Sequence, residues 1–141
     1  MSVYGCEYGS PTVLVVDDDT LVRETIRLLL EDHGFRVVTA TDGDDGLRKF
    51  RQIAPDVVLA DIIMPNKEGI AMIRELRRER SDARIIAMSG GGRMGLSDYA
   101  TIATQLGADT AIHKPFDDLK LIDAVRDLLD RPSSVVQAAA A

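Results

Sequence analysis

VLVVDDD, residues 13–19, is the stretch that decides the fold of this chain. Four consecutive apolar residues without polar alternation are typical of a strand that is buried on both faces of a parallel sheet. Three aspartates follow at once, so they should lie at the carboxyl end of that strand. Ligands bind at this edge of open parallel sheets. The stretch therefore predicts a buried strand and the position of a candidate site.

Short apolar runs of the same kind recur along the chain. They span residues 37–40, 57–60, 85–88 and, more weakly, 111–112. Each run is followed by a longer stretch with apolar side chains at helical spacing, as at Val22, Ile26 and Leu29 after the first. This alternation predicts a (βα)5 α/β domain whose helices cover both faces of a parallel sheet.

Single residues mark several of the predicted helix ends. Gly34 and Gly107 lie where a helix terminus favours a left-handed residue. Ser97 and Asp117 lie where a helix start favours a side-chain acceptor, and we interpret Asp19 as a turn or cap residue.

The repeating pattern runs from residue 12 to residue 131, and we interpret this range as one domain. A chain of 141 residues is long enough for one hydrophobic core but not for two. Residues 1–11 and 132–141 lack the pattern and are predicted to be flexible arms. No second domain is predicted, so we expect a stand-alone unit that acts through its surface.

The composition argues against several classes of protein. Apolar residues make up 45% and charged residues 28% of the chain, as in ordinary globular proteins. The net charge of −6 repels phosphate backbones and anionic lipids, so neither a nucleic-acid nor a membrane partner is predicted. Cys6 is the single cysteine and cannot form an internal disulfide. With no recognisable signal peptide or membrane span, we predict a cytoplasmic protein.

Polar residues end the predicted strands, and the sheet should gather them at one edge. Asp17 and Asp18 end the first strand, Asp61 the third, Ser89 the fourth and Lys114 the fifth. Clustered carboxylates repel one another unless a cation lies among them, and oxygen ligands of this kind favour Mg²⁺. A carboxylate nucleophile, a metal, a fixed ammonium group and a hydroxyl are the parts that phosphoryl transfer requires. The sequence therefore predicts magnesium-dependent phosphoryl chemistry at this edge.

Four segments, in their order and spacing, resemble the receiver domain of two-component response regulators. They are VLVVDDD at 13–19, VVLADIIMP at 57–65, IIAMSG at 85–90 and AIHKPF at 111–116. The resemblance covers residues 12–131 and implies the flavodoxin-like, doubly wound fold with strand order 2-1-3-4-5. It also implies a signalling module that is switched by phosphorylation and binds Mg²⁺.

The resemblance implies roles for the acidic residues. Asp61 matches the aspartate that accepts the phosphoryl group. Asp17 and Asp18 match the acidic pair that holds Mg²⁺ together with Asp61, and the backbone carbonyl of Ile63 adds a further metal ligand.

The same resemblance implies roles for the last two strand ends. Ser89 matches the hydroxyl that senses the phosphorylated state, and Lys114 matches the lysine that contacts the phosphoryl group. The peptide bond before Pro115 is expected to be cis, as in the family.

Two features depart from the family pattern. The family usually has an aromatic switch residue three positions before the lysine, and this chain has Ala111 there. The segment after Ser89 is longer than usual and contains four glycines between residues 90 and 96. Rotation of a ring cannot report the switch here, so we expect the glycine-rich segment to do so.

We therefore expect a phosphoacceptor domain rather than a turnover enzyme. The expected donors are a sensor histidine kinase or a histidine phosphotransfer protein, and the expected output is binding to an unidentified downstream protein or onward relay. Two alternatives stay open. One is a small Mg²⁺-dependent phosphohydrolase of the haloacid dehalogenase type, suggested by Asp17, Asp19 and Thr20. The other is an interaction module that is never phosphorylated, which Ala111 would allow.

Two further groups of polar residues have plain structural interpretations. His113, near the end of a predicted strand, is interpreted as a packed or rim histidine. The alternating charges of residues 74–80 are interpreted as a solvated helix face.

The residue at position 63 leads to a prediction about the lifetime of the aspartyl phosphate. Hydrolysis needs a water held in line with the scissile bond, and the side chain of Ile63 cannot hydrogen-bond one. Replacing Ile63 by Gln should speed loss of the phosphoryl group on the order of tenfold, about 1.4 kcal/mol of barrier. A decay assay on purified phosphorylated protein measures this, and equal decay of the variant and the wild type would contradict it.

Overall fold

The computed structural model of the chain describes residues 9–62, 68–89, 101, 104–105, 107–115 and 117–131. Within these residues the strands are β1 Thr12–Val16, β2 Arg36–Ala40, β3 Val57–Asp61, β4 Ile85–Ser89 and β5 Thr110–His113. The helices are α1 Thr20–Asp32, α2 Gly43–Ile53, α3 Glu68–Glu79 and α4 Asp118–Asp130.

All five strands run parallel in one sheet of order β2-β1-β3-β4-β5. The predicted flavodoxin-like α/β fold is confirmed. β3 and β4 are buried along their whole length, as their continuous apolar runs predict. Because β1 lies beside β3, the two aspartate-bearing strand ends are neighbours at the carboxyl edge.

The sheet divides the hydrophobic core of the domain into two clusters, one on each face. On β1, Val13 and Val15 belong to the cluster that includes residues of α1 and α4, whereas Leu14 and Val16 belong to the cluster that includes residues of α2 and α3. Successive side chains of a strand point to opposite faces, so a fully apolar strand contributes to both clusters. Burial on both faces holds the strand ends, and the polar side chains that follow them, in a rigid frame.

Several predicted helix ends are confirmed. Asp19 is the N-cap of α1 and accepts hydrogen bonds from the backbone N–H groups of the first turn. Asp117 caps α4 in the same way. Gly34 and Gly107 have φ angles of 92° and 121°, the left-handed values that glycine adopts without strain. Ser97 lies outside the described residues.

The helix predicted before β5 falls mostly outside the described residues. Thr101, Thr104 and Gln105 are described, and their backbone is helical. No bounds are therefore assigned to this element.

The interpretation of residues 74–80 as a purely solvated face is wrong for Arg77. Its guanidinium donates to the carbonyl of Gly107 (2.9 and 2.7 Å) and to a carboxylate oxygen of Asp109 (3.0 Å). It also donates to two carbonyls of the α3–β4 connection, at 2.8 and 2.6 Å. The same oxygen of Asp109 accepts the backbone N–H of Ile85 at 2.7 Å. Arg77 thus joins α3 to the beginnings of β4 and β5.

The N-terminal turn of α3 packs directly on the end of β3. A Cβ atom added to Gly69 would lie 2.0 Å from the carbonyl oxygen of Asp61 and 2.9 Å from the Cα of Ile62. Both are backbone atoms that cannot move aside. Only glycine allows the helix to approach the strand end this closely.

Substitution of Gly69 by Ala should therefore destabilise the fold. We expect the free energy of unfolding to fall by about 3 kcal/mol, the upper part of the usual cost of overpacking. Gly46→Ala is the matched control, because its added Cβ would meet side-chain atoms and not backbone, namely the flexible thioether sulfur of Met72 at 2.6 Å and a methyl carbon of Val16 at 3.0 Å. Urea denaturation measures both variants, and equal losses would show that the Gly69 contact is not special.

Candidate functional site

Three carboxylates meet at the carboxyl edge of the sheet. Asp17 follows β1 and is fully buried, Asp61 ends β3 and is 5% exposed, and Asp18 is exposed to solvent. One carboxylate oxygen from each lies within 4.8 Å of the other two, and no other such group occurs among the described residues. This separation and the oxygen donor set fit a hard divalent cation such as Mg²⁺.

Asp17 is held by hydrogen bonds on both carboxylate oxygens. Oδ1 accepts the backbone N–H of Asp19 at 2.9 Å, and Oδ2 accepts a hydrogen bond from Lys114 Nζ at 2.8 Å. Its backbone N–H donates to the carbonyl of Ala40 at 3.2 Å, which extends the β1–β2 pairing by one residue. A buried carboxylate needs partners of this kind to remain charged.

Lys114 connects the two buried carboxylates. Its Nζ also donates to Oδ2 of Asp61, at 3.3 Å. Burial by itself lowers the pKa of Lys114, but the hydrogen bond to Asp17 and the charges of Asp61 and Asp17 outweigh it and raise the pKa above its usual value. The group therefore stays cationic at neutral pH. The three carboxylates outnumber the one ammonium group that bridges them, which favours binding of a divalent cation.

Ser89 lies at the same edge through the pairing of β4 with β5. It is 2% exposed and stands opposite His113 in the strand register. Its carbonyl accepts the backbone N–H of Lys114 at 2.7 Å. The register thus holds the serine beside the lysine that reaches the carboxylates. His113 is half-buried at the strand end, in agreement with a packed or rim residue.

The remaining predicted features are only partly described. The peptide bond between Lys114 and Pro115 is cis, as predicted. Ala111 is half-buried and packs against the core on the α2 and α3 side of the sheet. Ile63 and the glycine-rich segment 90–96 lie outside the described residues.

Sequence reasoning did not single out Arg23. This residue of α1 donates through Nη1 to the backbone carbonyl of Asp17 at 2.7 Å. A cation near a helix N-terminus is unfavourable for the helix dipole, so an arginine in the first turn of a predicted helix is a sequence signal for a contact outside that helix.

A family model for the response regulator receiver domain matches residues 13–126. This chain belongs to that family. Receiver domains are phosphoacceptor signalling domains of two-component systems, and response regulators are phosphorylated by histidine kinases. Receiver domains bind Mg²⁺ at an acidic pocket, and the cluster of Asp17, Asp18 and Asp61 in this chain could hold a metal ion.

The curated relatives are of two lengths. The chain is 39% identical over 119 residues to a probable transcriptional regulator ycf27 of Guillardia theta, covering 84% of this chain and 45% of the relative. It is 34% identical to the chemotaxis protein CheY of Bacillus subtilis, covering 84% of this chain and 97% of the relative. The chain spans about half the length of the transcriptional regulators among these relatives.

Solved receiver structures share the fold. A response regulator receiver domain protein from Clostridium thermocellum superposes with a TM-score of 0.78 at 31% identity, covering 86% of this chain and 95% of that one. A CheY-like receiver domain protein from Methanospirillum hungatei JF-1 gives a TM-score of 0.77 at 28% identity, covering 85% and 94% of the two chains.

The names of the relatives weaken the prediction that this protein has no nucleic-acid partner. Several of the relatives are named transcriptional regulators, so the net charge of this receiver does not exclude a nucleic-acid partner for the whole protein. None of the helices in the described part of the chain is long and apolar enough to cross a membrane. The cytoplasmic location stays a prediction.

The lysine bridge leads to a prediction about metal binding. In Lys114→Met both buried carboxylates lose the ammonium group that bridges them, and removal of one partner of a buried ion pair costs about 3 kcal/mol. We expect the metal-free variant to melt at a lower temperature than the wild type. Mg²⁺ should then raise its Tm by more than it raises that of the wild type, because the cation relieves a larger repulsion.

Lys120→Met, an exposed substitution on α4, is the matched control and should behave as the wild type. Thermal melts with EDTA and with millimolar MgCl2 make the comparison. An equal Mg²⁺-induced rise in the wild type and in Lys114→Met would contradict the prediction.

Proposed function

We propose that this receiver domain accepts a phosphoryl group on Asp61 from a phosphohistidine of a sensor histidine kinase or histidine phosphotransfer protein. The observation that carries the proposal is the pair of buried carboxylates on adjacent strands, joined by the ammonium group of Lys114. The membership of the chain in the receiver family supports it.

The contacts of the three aspartates favour Asp61 as the nucleophile. Asp17 is fully buried and has both carboxylate oxygens occupied by donors. Asp18 is exposed, where water solvates its charge and makes it a poor nucleophile. Asp61 combines near-complete burial with a small exposed area and a contact to Lys114. Of the three aspartates, only Asp61 therefore offers an incoming phosphorus atom a carboxylate that is both weakly solvated and held in a fixed position.

In the proposed step a carboxylate oxygen of Asp61 forms a bond to phosphorus. The P–N bond of the donor phosphohistidine breaks, and the imidazole nitrogen keeps its electron pair. Lys114, already within hydrogen-bond distance of Asp61, neutralises charge on the phosphoryl oxygens. Mg²⁺ held by Asp17, Asp18 and Asp61, with the carbonyl of Ile63, would supply further charge neutralisation at those oxygens.

Ser89 is proposed to sense the phosphorylated state through its hydroxyl. Ala111 offers no ring to rotate, so the proposed readout is a rearrangement of the glycine-rich segment that follows Ser89. The consequence is binding to a downstream protein or onward transfer of the phosphoryl group. The hydrolase alternative loses support because Asp19, which its motif requires, serves as the N-cap of α1.

Labelling of the intact protein tests the proposed acceptor. Wild-type protein incubated with acetyl phosphate and MgCl2 should gain the mass of one phosphoryl group, and Asp61→Asn should gain none, because an amide is not a nucleophile here. Asp44→Asn, at an exposed position of α2, is the control and should label as the wild type. Labelling of Asp61→Asn to the wild-type extent would show that the acceptor is another residue.

A further inference from the structure

Arg23 makes a contact that the phosphoacceptor function does not by itself require. Its side chain is half-buried and turns back along α1, with Nη1 2.7 Å from the carbonyl oxygen of Asp17 and Nη2 3.3 Å from Oγ1 of Thr20. The first is a short, charge-assisted hydrogen bond. It links the helix that follows the acidic pair to the backbone of the first member of that pair.

The bonded carbonyl stands where the chain leaves the sheet. The N–H of Asp17 still pairs with Ala40 of β2, whereas the next residues turn away to begin α1 at its Asp19 cap. The peptide between Asp17 and Asp18 is planar, so a hydrogen bond that fixes the direction of its carbonyl also fixes the position of the Cα atom of Asp18. The side chain of Asp18 extends from that atom. Asp18 is exposed, so packing does little to hold it in place. The bond from Arg23 is thus a restraint on the position of Asp18.

We propose that Arg23 is a positioning residue for cation binding, which holds the Asp17–Asp18 peptide so that the carboxylate of Asp18 stays in reach of Asp17 and Asp61. The inference rests on the proposed function, since it concerns the affinity of the same acidic pocket for Mg²⁺. Arg23 itself touches neither the cation nor the phosphoryl group in this scheme.

The sign of the effect separates positioning from simple electrostatics. If Arg23 acted only through its charge, its removal would strengthen binding of a nearby cation, because like charges repel. If Arg23 positions the carboxylates, its removal weakens binding although a positive charge has gone. Arg23→Lys keeps the charge but lacks the planar guanidinium that reaches the carbonyl, so it isolates the geometric contribution.

The test is a calorimetric titration of the metal-free full chain with MgCl2, which measures the Kd for Mg²⁺. We expect the Kd for Mg²⁺ to rise about tenfold in Arg23→Ala and in Arg23→Lys, the lower end of the usual effect of residues that orient metal ligands. Arg27→Ala is the matched control. Arg27 lies one turn further along α1 and bonds only Glu24 and Glu31 among the described residues, so the Kd should stay within about twofold of the wild type.

A second readout needs no metal. In EDTA, amide exchange at Asp18 and Asp19 should be faster in Arg23→Lys than in the wild type, with exchange in the β3 core unchanged. Arg23→Lys keeps a good helix former, so it carries the test if Arg23→Ala does not fold.

The outcomes are distinguishable. A Kd that is unchanged or lower in Arg23→Lys overturns the positioning role while leaving the proposed phosphoacceptor function intact. Absence of Mg²⁺ binding by the wild type overturns both. A higher Kd in both Arg23 variants, with the Arg27 control unaffected, supports the inference.

Discussion

The bridge from Lys114 to Asp17 and Asp61 is the interaction on which the rest of this structure depends. Two carboxylates buried on neighbouring strands could not both stay charged without a cation between them. The ammonium group supplies that cation from β5, at the far side of the sheet from β2. The pocket is thereby kept acidic, and its excess negative charge is available for a divalent ion.

The sheet order explains how one side chain can reach both carboxylates. β1 and β3 are adjacent, so Asp17 and Asp61 are brought together by the strand pairing itself. The pairing of β4 with β5 then places Ser89 beside Lys114 at the same edge. The hydrophobic packing on both faces makes this edge rigid. The free energy gained by burial of the apolar strands therefore also holds the carboxylates close together against their mutual repulsion.

Two arginines connect helices to the ends of strands, one at each edge of the sheet. Arg77 joins α3 to the beginnings of β4 and β5 at the opposite edge of the sheet, and Arg23 joins α1 to the carbonyl of Asp17. Arg77 bonds three backbone carbonyls with one guanidinium, and Arg23 bonds one carbonyl and the hydroxyl of Thr20. Carbonyls at the ends of strands and helices lack regular partners, and arginine satisfies them over distances that shorter side chains do not span.

The sequence by itself determined the elements and the edge at which the site lies. The apolar runs at 13–16, 57–60 and 85–88 are buried on both faces, as is typical of strands in a parallel sheet covered by helices. A continuous apolar run is a local feature of the sequence, so it can be recognised without knowing the fold. The acidic residues at the strand ends follow from the same reading. Only the tertiary structure decided which side chains bond to which, as with Lys114 and Asp17, 97 residues apart, or Arg77 and Gly107, 30 residues apart. Such contacts depend on strand order and helix placement, which no local pattern of side chains encodes.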